Sequence, residues 1–156
     1  MQRSSADGAA LARELTPLFS ALLRAGGTSA EWRALTSTQR LILFELHDSG
    51  PLRLGALAER AGATDPTTSR AVDGLVAAKL VARRADPSDR RAVLHEATRL
   101  GRALAEARRT EIVAILDRAL DGFAESERAK LVVLLARLNA ELRDFGPRPA
   151  ELLASR

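Results

Sequence analysis

Residues 80–98, LVARRADPSDRRAVLHEAT, restrict the fold more than any other part of this chain. Two arms, LVARRA and RRAVLHEA, flank DPSD, where proline fixes one φ angle and Asp and Ser side chains accept hydrogen bonds from turn N–H groups. The spacing predicts a β-hairpin whose end carries Arg83, Arg84, Arg90 and Arg91. Strand period two puts Asp89, Arg91, Val93 and His95 on one face and Arg90, Ala92 and Leu94 on the other, which places Asp89 to brace Arg91. An isolated hairpin is marginal in water. The helices around it therefore decide what it is for.

Two short helical patterns stand directly before it. The first has Leu54, Leu57, Ala58 and Ala61 on one side and ends at Gly62. In the second, TDPTTSRAVDGLVAAKL, Asp65 is read as the N-cap, Pro66 takes the first helical position, and Val72, Leu75 and Val76 form an apolar face. Its opposite face begins with Thr67, Thr68 and Arg70. Two short helices joined by a tight turn make a helix-turn-helix, a pattern that many all-α domains contain for packing alone. An arginine-tipped hairpin immediately afterwards makes it a winged helix, whose second helix enters the major groove of double-stranded DNA while the wing reaches phosphates or the adjacent minor groove. Arginine suits a narrow groove because its flat guanidinium is less strongly hydrated than an ammonium. The competing reading of the four arginines is a solvated hairpin end.

Further helices flank this lobe. From about residue 9 to 23, Leu11, Leu15, Leu18, Phe19 and Leu22 fall at helical spacing, and AGGTSAEWRAL then breaks the pattern with paired glycines. Thr36 and Gln39 are spaced as a capping box before RLILFEL, a helix apolar nearly all round and therefore expected to be central and buried. DSGP stops it. After Thr98, a good N-cap, a long helix runs to about residue 120, and a last one from about 125 to 145 carries Leu131, Leu134, Leu135, Leu138 and Leu142. These terminal helices hold more apolar surface than a small winged helix covers, and the simplest partner for it is a second copy. The expected fold class is mainly α with a small β-hairpin wing, a winged helix-turn-helix plus N- and C-terminal dimerisation helices. It forms a single domain over 1–156, with the DNA-binding lobe at about 36–97 and the dimerisation layer at about 9–24 and 98–145.

Composition excludes several alternatives. The formal net charge is only +4, and residues 51–97 carry eight basic against six acidic side chains, so any case for nucleic acid rests on arrangement rather than bulk charge. There is no cysteine, which excludes disulfides and thiol-based redox sensing, and two histidines make no metal site. No glycine-rich phosphate loop, Gly-x-Ser-x-Gly elbow or His-Glu-x-x-His is present, so neither an enzyme nor a cofactor is expected. No apolar run is long enough to cross a bilayer and MQRSSADGAALARELT lacks signal-peptide features, so the expected partners include no membrane and the expected location is the cytoplasm.

LAERAGATDPTTSRAVDGLVAAKLV and DPSDRRAVLHEATRLGRAL, together with the order of elements over essentially the whole chain, resemble the MarR family of bacterial transcriptional regulators. The resemblance implies a DNA-binding homodimer, often a repressor released from a pseudo-palindromic operator by a small aromatic or phenolic ligand. It implies that Arg91 is the minor-groove arginine, Asp89 its orienter and Arg90 a phosphate contact. Thr67, Thr68, Ser69 and Arg70 would lie near bases and backbone. Lys79 stands where the family often has glycine before the first wing strand. A winged-helix module that binds another protein and not DNA is the alternative, and a salt titration separates the two.

An effector would sit at a junction of the lobe and the dimer layer, lined by some of Leu15, Phe19, Trp32, Phe44 and His47, with Arg33 to balance an acid. The simpler roles are a core plug for Trp32 and a helix C-terminal cap for His47.

Overall fold

The computed structural model describes residues 2–24 and 29–144, a mainly helical chain with one small antiparallel sheet. The paired glycines Gly26 and Gly27 and the expected helix end at Phe145 lie outside the described residues. Among the described residues no helix is long and apolar enough to cross a membrane. The chain forms two compact units, Met1–Ala34 and Leu35–Arg156.

The first unit holds α1 (Gln2–Arg24) and α2 (Ala30–Ala34). Helix α1 begins well before the position expected from its apolar stripe, because nothing in QRSSADG forbids helix and Gly8 costs only about 1 kcal/mol relative to alanine. The stripe Leu11, Leu15, Leu18 and Phe19 is exposed in the single chain, Phe19 by 66%. In α2, Trp32 is buried and its backbone N–H donates to Ser29 Oγ at 3.1 Å.

The second unit opens with α3 (Ser37–Ser49), and the capping box forms as read: Gln39 N–H donates to Thr36 Oγ1 and Thr36 N–H to Gln39 Oε1, at 3.2 and 2.9 Å. Ile42, Leu43 and Leu46 are buried, but Leu41 is half-exposed, so α3 is central on one face and not sunk all round. Gly50, at φ 76°, ends it. Strand β1 (Leu52–Arg53) leads into α4 (Leu54–Ala61), which Gly62 closes in the left-handed conformation at φ 59°. Helix α5 (Asp65–Ala77) and strands β2 (Val81–Asp86) and β3 (Asp89–Ala97) follow, then α6 (Arg99–Leu120) and α7 (Glu125–Asp144).

The sheet order is β1-β3-β2, all antiparallel, with Leu52 and Arg83 on either side of His95, and Arg53 and Arg84 on either side of Leu94. Ile42, Leu43, Leu46, Leu57, Val72, Leu75, Leu80, Val81 and Ala97 make the core, which fixes α5 against α3 and the sheet. Thr98 joins hairpin to α6: its Oγ1 accepts from Gly101 N–H at 3.0 Å and donates to the Lys79 carbonyl at 2.8 Å. A Cβ on Gly101 would strike the Leu80 carbonyl, so glycine is required there.

Candidate nucleic-acid interface

Helix α5 and the hairpin carry the site. The N-cap of α5 is Thr64, one residue before the expected Asp65. The Thr64 side chain caps no backbone N–H and instead donates to Thr67 Oγ1 at 3.0 Å, while Pro66 lies in the first turn where its missing N–H is harmless. Thr67 and Arg70 are exposed. Ser69 is half-buried and lines, with Leu54, Ala92 and His95, an open groove of about 350 Å³ between α5 and the sheet. Thr68 does not join them. Its side chain is fully buried, on the same face as Ala71, Val72 and Leu75, and a side chain at 0% exposure is not available to DNA. The spacing 68, 72, 75 was itself the signal, since residues four and seven apart share a helix face.

In the hairpin, Pro87 and Ser88 form the turn between the two strands. Asp86 holds it: Oδ1 accepts from the Ser88 N–H at 2.8 Å and hydroxyl at 2.7 Å, and Oδ2 accepts from Arg53 Nε at 2.8 Å, with Nη2 at 2.6 Å. The Ser88 hydroxyl and N–H, and then Arg53, hold the Asp86 carboxyl down to about 2. The turn is thus set by proline, Asp and Ser, as the sequence implies. Asp86 is the turn former that an Asp directly before Pro-Ser implies, but its ion pair with Arg53 is not expected from the sequence.

Asp89 braces Arg91 differently from expectation. Its Oδ1 accepts from the Arg91 backbone N–H at 3.0 Å, so it fixes the main chain and not the guanidinium. Arg91 is exposed; the side chain of Arg90 lies outside the described part. Two of the four hairpin arginines are neutralised: Arg83 pairs with Asp73 on α5, and Arg84 with Glu96 at 3.0 Å. Arg60 pairs with Glu45 at 3.2 Å and Arg53 with Asp86. Among the described residues, Arg70 and Arg91 are left with no acidic partner in this part of the lobe.

His95 lies beneath the groove at 5% exposure. Burial pushes its imidazole below the usual value and Arg83 acts in the same sense, while a hydrogen bond to the Leu52 backbone and the charge of Asp73 oppose them.

Of the residues proposed for an effector, Phe44 and His47 share a face of α3 towards α6. His47 Nε2 meets Glu106 Oε2 at 3.1 Å, so it is engaged by a carboxylate, and the Arg109 guanidinium stands 6.0 Å from the centre of the Phe44 ring. Leu15, Phe19, Trp32 and Arg33 belong to the other unit.

The MarR family model matches residues 35–93, from the start of the second unit to the wing. An uncharacterized HTH-type transcriptional regulator of Bacillus subtilis (strain 168), YxaD, is 32% identical over 110 residues, which are 70% of this chain and 77% of YxaD. This chain belongs to the MarR family. Among solved structures, Bordetella bronchiseptica BpsR, whose DNA binding is regulated by 6-hydroxynicotinic acid, is similar at TM-score 0.64 and 28% identity, covering 85% of this chain and 91% of BpsR. RV1404 from Mycobacterium tuberculosis is similar at TM-score 0.69 and 27% identity, covering 84% of this chain and 91% of its own. This MarR-family protein is a DNA-binding transcriptional regulator.

Proposed function

We propose that two copies of this regulator bind one pseudo-palindromic stretch of DNA, each placing α5 in a major groove and its wing against the adjacent minor groove. One observation carries the assignment of residues: among the described side chains of α5 and the hairpin, Arg70 at the exposed start of α5 and Arg91 on the wing have no carboxylate partner, while Arg83 and Arg84 are paired. In this reading Thr67 and Arg70 meet base edges, with Ser69 at the groove wall. Arg91 enters the minor groove, Asp89 shapes its backbone, and Arg90 meets phosphate. Arg70→Ala should weaken binding to a site selected from random fragments by about 1–3 kcal/mol and relax its base preference. Equal losses on selected and random DNA reassign Arg70 to the phosphate backbone, and no loss on either ends the reading.

The protein acts, on the same reading, as a repressor released by a small aromatic or phenolic ligand, and the similarity to BpsR supports this. Within the second unit, Phe44 and His47 on α3 are the ligand's candidate contacts. Such a ligand lowers DNA affinity only through its differential affinity for the two dimer states, and a hundredfold loss requires about 2.7 kcal/mol. A panel of aromatic carboxylates and phenols, scored by thermal shift and by release from DNA, tests it. Compounds that bind the free protein yet leave DNA affinity unchanged are no effectors, and a panel composed only of these rejects allosteric control.

A further inference from the structure

Arg53 ends the short strand β1, and its guanidinium reaches past β3 to Asp86 at the far end of β2. It thereby links the two outer strands of the sheet over the central one. The pairing register shifts between Ala85 and Asp86, at the point where the ladder gives way to the wing tip. Beyond that shift the tip is held by side chains: Asp86 holds Ser88, Asp89 holds the Arg91 N–H, and Arg53 binds Asp86 and lies 3.8 Å from Asp89. One half-exposed arginine thus connects the rigid base of the lobe to both acids that shape the tip.

We propose that Arg53 is a positioning residue for DNA binding: tying Asp86 and Asp89 to β1, it fixes the direction in which the wing presents Arg91. The inference rests on the wing being a DNA contact. Its rival is that Arg53, a cation near the interface, touches phosphate itself. The two differ in what they require of Asp86. An acid beside a DNA-binding surface repels phosphate, so removing its charge ordinarily tightens binding. If Asp86 is the anchor for the wing, removing its charge loosens binding instead. In Asp86→Asn the shape is kept and an amide replaces the carboxylate that Arg53 grips, while an acceptor remains for Ser88.

The test uses the full chain and a selected DNA site, comparing Arg53→Gln, Asp86→Asn, Arg91→Ala and the double variant Arg53→Gln/Arg91→Ala, with thermal midpoints measured alongside. Arg53→Gln and Asp86→Asn should each weaken binding about tenfold, and the double variant should bind no worse than Arg91→Ala, because residues acting through one contact are not additive. Arg53→Lys, which keeps an ion pair with Asp86, should recover most of the loss and guards against a variant that merely folds poorly. Asp86→Asn binding as tightly as the parent or tighter, or an additive double variant, overturns the positioning role while leaving the wing reading intact. Arg91→Ala without effect removes the wing contact and the positioning role together.

Discussion

His95 is the side chain whose surroundings most directly set a condition on stability. It sits on the central strand, buried, and among the described residues its Nδ1 has no hydrogen-bond partner. Because burial lowers its folded-state pKa, the unfolded chain binds the proton more readily, and stability rises with pH through this group. The contribution is fully present above the unfolded value of about 6.5 and is lost as pH falls from there towards the depressed folded value. Thermal midpoints taken between about pH 7.5 and about pH 5.5 should fall more steeply in the parent than in His95→Gln, which cannot be protonated. Parallel slopes would assign the loss to other groups. At this scale the sequence places residues in their elements more reliably than it orients them. Thr98 is legible as a cap, while the close approach of Gly101 to the Leu80 carbonyl is seen only in the structure; Lys79 stands out against the family glycine, and it does adopt the left-handed region, at φ 61°. Arg53 and Asp86 are not legible as a pair, since 33 positions separate them and only the sheet order brings them together.

At the scale of elements, what could be read depended on length and on local chemistry. The capping box at Thr36 and the proline turn of the hairpin are set by residues within three positions of each other, so their sequence signals are complete. Strand β1 has two residues, too few to show an alternation, and exists because β3 offers it a partner edge. Helix α5 shows the opposite difficulty. Its existence and polar start are evident, but the face reading puts Thr67, Thr68 and Arg70 opposite Val72 and Leu75, and the family resemblance adds Ser69, whereas a helix turns about 100° per residue and cannot aim four consecutive side chains at one groove. The period sends Thr68 inward with Val72 and Leu75 and leaves Thr67 and Arg70, three apart, on the exposed side. The N-cap lies one residue before the expected Asp65, at Thr64, whose side chain bonds Thr67 Oγ1 and no backbone N–H, so side-chain capping does not account for the shift.

The molecule as a whole exposes more apolar surface on its last two helices than a monomer keeps. Val132 and Val133 are 66% exposed and Leu134 58%, with Leu131, Leu135 and Leu142 also open on α7, and Val113 and Leu116 on α6. Monomeric soluble proteins rarely leave so continuous an apolar surface uncovered. We propose that a second copy covers it, and MarR-family membership makes the symmetric dimer the natural assembly. A two-fold axis then sets the DNA site as well, since the two α5 helices reach successive major grooves only if half-sites lie about one helical turn apart. Leu131 and Leu135, one turn apart on α7, are the residues to change. Each buried leucine contributes about 1.5–3 kcal/mol, so Leu131→Asp with Leu135→Asp should remove most of the association energy and also bury charge. Light scattering at micromolar concentration should show the parent as a dimer and the double variant as a monomer. Affinity for the palindromic site should fall with dimerisation, because a monomer engages one half-site. A chain that scatters as a monomer and still binds the whole palindrome with parental affinity would show that α6 and α7 serve some other contact.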